Sequence, residues 1–218
     1  MEQRESAVTL FDLDGVLTTQ DTMATLITQQ LRKKPLRILA VGPIYAVALI
    51  AGSHRALSAR ANRLAVRLTF MGSNDHEYRV LAATAGRQFA NRPGFIREDV
   101  AELYRTARTT SRVVVVTASE FHLVEALLAA CGIHDVELVA SRLSFWNRIP
   151  HLVLHNVGAE KIRTLHAAGV RIESATFYTD SASDLPVALM TARTIIVRPG
   201  KRSRRRLLAA LPGAHIIE

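Results

Sequence analysis

The chain has 218 residues, 49% hydrophobic and 22% charged, a balance that excludes a wholly disordered protein and suits one domain with a sizeable insert. Its single cysteine, Cys131, excludes an internal disulfide framework and a zinc site built from several cysteines, and is typical of a reducing compartment. The net charge is +9, and most of it lies in residues 20–92, where eleven Lys and Arg residues stand against three acids. This segment therefore favours an anionic partner.

The patterns up to about residue 91 predict one strand followed by helices. Residues 6–11 form a short apolar run before an Asp-Leu-Asp-Gly sequence, which is typical of a buried strand and a turn, and we expect no secretory signal before it. From residue 21 to about residue 91 the patterns are helical, with breaks near residues 42–43, 52–53 and 72–73. We expect three or four packed helices here.

Strands and helices alternate in the remainder. After a helix over about 95–108, we expect strands at 112–116, 136–140, 175–179, 194–197 and 214–217, with helices at 120–130, 159–168, 185–191 and 203–211. A hairpin is expected over 142–155, with Trp146 packing at its turn. This order predicts an α/β fold, a doubly wound parallel-sheet core with an inserted α-helical cap. The core would comprise residues 1–19 and 93–218, and the cap residues 20–92.

Acidic residues follow two of the predicted strands. Asp12 and Asp14 follow the first strand and are separated by one residue, so their side chains project to the same side. Asp180 and Asp184 follow the strand at 175–179. Ligands of such sheets lie beyond the carboxyl ends of the strands, and carboxylates gathered there need a cation or a shared proton. A hard cation that prefers oxygen ligands is the natural occupant. Mg²⁺ is the predicted cofactor.

Thr117, after the strand at 112–116, and Lys161, near the start of a helix, would add donors for an anion beside this metal. Carboxylates, a metal and anion donors together predict phosphoryl transfer. In this interpretation Asp12 attacks phosphorus and forms an aspartyl-phosphate, and Asp14 protonates the leaving oxygen and later activates water. Mg²⁺ and Lys161 would offset the charge on the phosphoryl oxygens.

Four stretches in this order resemble the motifs of the haloacid dehalogenase-like phosphatase superfamily. They are residues 11–18 (FDLDGVLT), 113–117 (VVVVT), 158–161 (GAEK) and 178–186 (YTDSASDLP). The resemblance implies metal ligation by Asp12, Asp14 and Asp180, support of the metal site by Asp184, and phosphate binding by Thr117, Ala118, Ser119 and Lys161. It also implies that the insert covers the active site.

The form of the fourth motif resembles the phosphoserine-phosphatase-like branch, subfamily IB. Residues 32–36 (RKKPL) and 69–72 (TFMG) are similar to phosphatidylglycerophosphate phosphatases of the C type. Phosphoserine phosphatases carry a glutamate near the position of Asp21 to hold the amino group of the substrate. The shorter Asp21 leaves a role in cap specificity open beside a role as the first residue of a helix.

Several residues have a second interpretation. Ser119 is either an N-cap of the next helix or a phosphate contact, and Asp184 either opens a helix or supports the metal. Lys161 is either a solvated helix charge or a catalytic one. The basic residues 201–206 form either a solvated helix face or an anion-facing one.

Residues 38–52 are uncharged and apolar but short of the ~20 residues that a membrane-spanning helix needs. They would form either cap core or a helix in the membrane interface, with Arg32, Lys33, Lys34 and Arg37 facing anionic lipid. We therefore expect a cytoplasmic enzyme, peripheral at the inner membrane face if the interface alternative holds.

The predicted substrate is a phosphate ester, such as the headgroup of phosphatidylglycerophosphate. The alternative is a soluble metabolite of the phosphoserine or histidinol phosphate type. A basic nucleic-acid-binding protein is the non-enzyme alternative, against which stands the lack of any recognisable nucleic-acid motif.

Overall fold

The computed structural model describes residues 7–34, 36–39, 42–43 and 55–218. Its strands are β1 (Val8–Phe11), β2 (Arg112–Glu120), β3 (Glu137–Trp146), β4 (Ile149–Leu154), β5 (Ala175–Thr179), β6 (Arg193–Val197) and β7 (His215–Ile217). Its helices are α1 (Thr22–Lys33), α2 (Arg55–Phe70), α3 (Asp75–Ala90), α4 (Glu98–Thr110), α5 (Phe121–Ala130), α6 (Ala159–Ala167), α7 (Leu185–Ala188) and α8 (Lys201–Ala210). Residues 36–39 and 42–43 are also helical.

The seven strands form one sheet in the order β4-β3-β2-β1-β5-β6-β7. Every neighbouring pair is parallel except β3 and β4, which form an antiparallel hairpin at one edge. Strand β1 therefore lies in the middle, and the chain leaves it towards both edges. The predicted doubly wound α/β fold is confirmed.

Alternate residues of the central strands fill two hydrophobic cores on opposite faces of the sheet. Val113 and Val115 pack with Val100 of α4 and Val124 of α5. Val114 and Val116 pack on the other face, with residues of α6 and α7. The run of valines in β2 is apolar throughout because both faces of the strand are covered.

A third core joins the helical insert to the sheet domain. It unites Leu26, Phe70 and Phe89 from α1, α2 and α3 with Leu123 and Leu127 of α5. The described part of residues 20–92 is helical and contains no strand, as predicted.

Two sequence expectations about the β3–β4 hairpin are wrong. The segments expected as a separate strand and a hairpin arm form one strand, β3, because its first half pairs with β2 and its second half with β4. Trp146 does not pack at the turn: it is 71% exposed. The turn itself is built by Asn147 and Arg148, both with positive φ, and Arg148 contacts the insert through Gly72 and Glu77.

Most of the apolar run at residues 38–52 lies outside the described residues. Among the four described members of this run, Ile38 and Leu39 are exposed. Arg37, expected beside them as a membrane-facing charge, instead donates to the carbonyl oxygens of Thr69 at 2.6 Å and Met71 at 2.8 Å. It thereby satisfies carbonyls at the end of α2.

Candidate active site

A buried lysine stands between two carboxylates at the carboxyl end of the central strands. Lys161 Nζ lies 3.1 Å from Asp12 Oδ1 and 2.9 Å from Asp184 Oδ1, and the lysine is 2% exposed. The second oxygen of Asp184 accepts a hydrogen bond from Thr179 Oγ1 at 3.0 Å. Lys161 is therefore not a solvated helix charge. Asp184 precedes α7 without a side-chain capping bond, so it does not act as an N-cap either.

One ammonium group pairs with two buried carboxylates, and this excess of negative charge contributes to the pKa shifts of Lys161 and Asp12. Burial alone lowers the pKa of Lys161, but the charges of Asp12 and Asp184 raise it above its ordinary value. Burial raises the pKa of Asp12 well above its usual range, against the lowering effect of Lys161 and with the further raising effect of Asp184. The site thus holds more negative charge than its own cation neutralises.

Asp14 is held from two directions. Its Oδ1 accepts the backbone N–H of Thr22 at 2.7 Å, and its Oδ2 accepts Ser119 Oγ at 2.6 Å. Burial and the nearby charge of Asp21 raise its pKa to about 6, although the hydrogen bonds from Ser119 and Thr22 lower it. A carboxyl with such a pKa exchanges a proton near neutral pH, as a general acid and base requires.

Asp180 is close to the loop that carries Asp12 and Asp14. A Cβ placed on Gly15 would lie 2.2 Å from Asp180 Oδ2, and Gly15 has a φ of +81°, so glycine is required there on both counts. Burial and the charge of Asp184 raise the pKa of Asp180 to about 6, while Lys161 and Arg97 lower it. Arg97 also donates to the Gly15 carbonyl at 3.2 Å.

The acidic residues line one cavity of about 350 Å³. Its walls include Asp12, Asp14, Lys161, Asp180 and Asp184. The sequence-predicted catalytic and metal-site residues therefore meet at one place.

A larger cavity of about 780 Å³ shares Asp14, Asp21 and Ala118 with the first. It extends between the insert and the hairpin. Its apolar lining includes Met23, Ile27, Val66, Leu143 and Leu152, and its polar lining includes Asn62, Arg63, Glu120 and His155.

The last residues of β2 lie in different environments. Ala118 lines both cavities. Thr117 is fully buried, lines neither, and its Oγ1 accepts the N–H of Ser119 at 3.0 Å.

Ser119 is not the N-cap of α5. The N-cap of α5 is Glu120, whose side chain accepts from the N–H groups of His122 and Leu123. Strand β2 continues through Glu120 with a register shift after Val116, and Ser119 contacts Asp14 instead. Asp21, in contrast, caps α1 as considered, with Oδ1 accepting from Ala24 N at 2.7 Å, and it also lines both cavities.

Sequence reasoning missed three supporting residues. Thr22 and Arg97 hold the Asp14 and Gly15 loop, as described above. Asn156, which is fully buried, donates to the carbonyl oxygens of Thr117 at 3.0 Å and Val139 at 2.9 Å. A polar residue directly after a predicted strand was the available signal for Asn156, whereas nothing in the local pattern marks Thr22 or Arg97.

The donor set suits a hard cation that retains water. Asp12, Asp14 and Asp180 offer only oxygen atoms, and the charge imbalance would be relieved by a dication. Within the described ranges, no three His, Cys, Asp or Glu side chains lie close enough together to hold a metal ion by themselves. Mg²⁺ fits such a place, because it is bound by one or two carboxylates with waters and substrate phosphate completing its shell.

Comparison with known proteins identifies the arrangement. Residues 9–189 match the family model for haloacid dehalogenase-like hydrolases. No curated protein matches the chain.

Several solved structures share the fold. A protein of unknown function from Bordetella pertussis Tohama I is 17% identical with a TM-score of 0.65, covering 98% of this chain and 99% of its own. A phospho-aspartyl intermediate analogue of phosphoserine phosphatase is 15% identical with a TM-score of 0.63, covering 98% and 93%. CbbY from Rhodobacter sphaeroides in complex with xylulose-(1,5)bisphosphate is 20% identical with a TM-score of 0.57, covering 97% and 93%.

Proposed function

Because the chain belongs to the haloacid dehalogenase-like hydrolase family, we propose that this enzyme is a phosphatase that hydrolyses phosphate monoesters through an aspartyl-phosphate on Asp12. The observation that carries the proposal is the Lys161 ammonium buried between Asp12 and Asp184, beside Asp14 and Asp180 in one cavity. The fold shared with the phospho-aspartyl analogue of phosphoserine phosphatase supports it.

The residues of the chain divide the reaction between them. An oxygen of Asp12 attacks phosphorus, and the bond to the leaving oxygen breaks as Asp14 supplies a proton to it. Asp14, now ionised, takes a proton from the water that attacks the aspartyl-phosphate, which releases phosphate and restores Asp12. Lys161 holds Asp12 in place and offsets negative charge on the phosphoryl group.

Asp12, Asp14 and Asp180 would hold Mg²⁺, with Asp184 supporting the site through Lys161 and Thr179. When bound, Mg²⁺ would offset the charge of the phosphoryl oxygens as a Lewis acid. We propose Ala118, which lines both cavities, as the phosphate contact from the end of β2. The buried Thr117 would hold this turn through its hydrogen bonds with Ser119 and Asn156.

We further propose that residues 20–92 form a cap and that the substrate is a phosphorylated lipid headgroup such as phosphatidylglycerophosphate. The apolar lining of the larger cavity, contributed by Met23, Ile27 and Val66 from the insert, supports an apolar leaving group. The exposed Leu36 and Leu39, which follow the basic residues 32–34, support contact with an anionic membrane surface. Within the described residues, no helix has the length and hydrophobicity to cross a bilayer.

A soluble metabolite of the phosphoserine type is the second candidate. Asp21 supports it, because its carboxylate lines both cavities and would attract an amino group. Its hydrogen bond to Ala24 N occupies one oxygen of that carboxylate, however.

A substrate panel tests the proposal. Purified enzyme is offered p-nitrophenyl phosphate, phosphoserine, histidinol phosphate and phosphatidylglycerophosphate in mixed micelles, with Mg²⁺ and with a chelator. We expect hydrolysis that requires Mg²⁺, with the lipid ester as the best substrate. A preference for phosphoserine would replace the lipid proposal, and no release of phosphate from any ester would overturn the phosphatase assignment.

A further inference from the structure

We propose that Ser119 and Thr22 are positioning residues that fix the carboxylate of Asp14 in the orientation it needs to protonate the leaving oxygen. The inference rests on the proposed function, since it assigns to Asp14 the role of general acid. It gives Ser119 a role other than helix capping or phosphate binding.

Three hydrogen bonds form a directed chain that ends on Asp14. Thr22 Oγ1 donates to Ser119 Oγ at 2.6 Å, and Ser119 Oγ donates to Asp14 Oδ2 at 2.6 Å. The backbone N–H of Thr22 donates to Asp14 Oδ1 at 2.7 Å. When Asp14 is ionised its carboxylate only accepts, so the hydroxyl of Ser119 points at Asp14 and receives the hydroxyl of Thr22 on a lone pair. Each carboxylate oxygen keeps a second lone pair, which can carry the proton that Asp14 supplies as the acid.

Both hydroxyl groups of this hydrogen-bond chain are buried. Thr22 is fully buried and Ser119 is 2% exposed, so water does not readily replace either hydroxyl as a partner. Thr22 is the first residue of α1, and Asp21 caps the same turn, which fixes the backbone N–H that faces Asp14. Ser119 is brought to this place by the register shift of β2 after Val116.

The two donors reach Asp14 from different parts of the fold, one from the insert and one from the sheet. A carboxylate gripped at both oxygens keeps one plane, and positioned groups of this kind lower the barrier by holding the reacting geometry. Removal of the Ser119 hydroxyl would leave Oδ2 without this donor and free the carboxylate to turn. The acid would then be present but misplaced.

Leaving-group dependence measures this directly. A basic alkoxide needs protonation as it departs, whereas an acidic phenolate departs without much help. We therefore measure kcat/KM of wild type and Ser119→Ala for aryl and alkyl phosphate monoesters of increasing leaving-group basicity. Since general acid catalysis contributes about 10²–10⁴-fold, we expect Ser119→Ala to lose roughly 100-fold on alkyl esters and roughly tenfold or less on p-nitrophenyl phosphate.

Two substitutions at Thr22 distinguish the effect of its hydroxyl group from the effect of its side-chain packing. Thr22→Val keeps the shape and removes the hydroxyl, whereas Thr22→Ser keeps the hydroxyl. We expect Thr22→Val to steepen the leaving-group dependence and Thr22→Ser to keep the wild-type slope. In the Ser119→Ala background, Thr22→Val should add little, because the hydrogen-bond chain to Asp14 is already broken. Ser111→Ala, which removes a hydroxyl bonded to Thr9 Oγ1 at 2.9 Å, is the control and should leave the slope unchanged.

A uniform loss on all esters in Ser119→Ala, or the same slope in Thr22→Val and Thr22→Ser, would overturn the inference. Wild-type enzyme inactive on every ester would instead overturn the proposed function and the inference with it.

Discussion

Lys161 contributes both to the stability of the fold and to the proposed reaction. Its ammonium is buried against two carboxylates that are themselves buried, Asp12 at 6% and Asp184 at 1% exposure. Breaking a buried ion pair by removing one partner leaves uncompensated charge, which is costly. The same ammonium holds the proposed nucleophile.

Replacement of Lys161 by Met should therefore lower both stability and turnover. We expect the free energy of unfolding near neutral pH to fall by about 3–5 kcal/mol, and phosphate release to be abolished. Urea denaturation followed by circular dichroism measures the first and a phosphate assay the second. Lys201→Met, at an exposed lysine of α8, is the control and should change stability by less than about 0.5 kcal/mol. Equal stability of the two variants would contradict the buried ion pair.

Asp180 makes the metal-free protein less stable as its carboxyl ionises. Its pKa in the folded protein is raised to about 6, chiefly by burial and the charge of Asp184. A group with a raised pKa contributes stability below its unfolded pKa of about 4, and that contribution is lost as pH rises through about 6. Removing the charge should thus help only at higher pH.

In the presence of a chelator, we expect Asp180→Asn to be more stable than wild type at about pH 8 and not at about pH 4.5. Mg²⁺ should stabilise the wild type at about pH 8 and have a smaller effect on the variant, because binding to the folded state raises stability. Thermal unfolding at both pH values, with and without the metal, gives the comparison. A variant less stable than wild type at both pH values would show that the ionised carboxylate is not a destabilising charge.

At the scale of elements, helix α3 is fixed to α5 by a close backbone approach. A Cβ on Gly86 would lie 2.7 Å from the backbone nitrogen of Leu127 and 2.8 Å from the carbonyl oxygen of Leu123. Tyr78 of α3 also donates to Glu120 Oε2, just before α5, at 3.1 Å. Helix α3 is therefore fixed to the sheet domain by contacts of its own, in addition to the core that α1 and α2 share with α5.

Gly86→Ala should force the two helices apart and destabilise the protein by about 1–3 kcal/mol, a typical cost of overpacking. The control is Gly200→Ala at the start of α8, where no atom lies within 4 Å of an added Cβ. Chemical denaturation of the two variants measures the difference. A Gly86 variant as stable as the control would refute the close approach of α3 and α5.

Local patterns in the sequence predicted the strands and the acids that follow them, because a buried parallel strand is apolar on both faces and its end is marked by polar residues. This pattern predicts Asp12, Asp14 and Asp180, whereas Lys161 is predicted from its place near the start of a helix and from the third motif. The contact of Ser119 with Asp14 was missed because it depends on a register shift within β2, and Trp146 was misplaced because its exposure depends on how far the hairpin extends beyond its neighbours. The contact of Arg37 was missed because it depends on where the carbonyl oxygens of α2 lie in the fold.

Across the whole molecule, two exposed basic surfaces differ in whether exposed apolar side chains lie beside them. Arg32, Lys33 and Lys34 are exposed at the end of α1, close in sequence to the exposed Leu36 and Leu39. The basic residues of α8 are exposed as well, but helix α8 packs its apolar side against Ala182 and Ile196 and shows no exposed large hydrophobic residue. Only the first surface combines charge with apolar side chains, as an interfacial helix does.

Changing Arg32, Lys33 and Lys34 to Gln should reduce co-sedimentation with anionic vesicles while hydrolysis of p-nitrophenyl phosphate continues. Each charge near an anionic surface contributes about 1 kcal/mol, so three amount to about 3 kcal/mol, or roughly 100-fold in partitioning. The equal charge change at Lys201, Arg202 and Arg205 is the control. Equal losses of vesicle binding in both variants would argue against docking through the end of α1.

Trapping the aspartyl-phosphate shows whether Asp12 is the nucleophile. Enzyme mixed with an activated aryl phosphate is quenched in acid during turnover, digested, and the peptides are analysed by mass spectrometry. We predict one added phosphoryl group on the peptide that carries Asp12, and none in Asp12→Asn. A phosphoryl group on any other residue, or wild-type turnover by Asp12→Asn, would contradict the account.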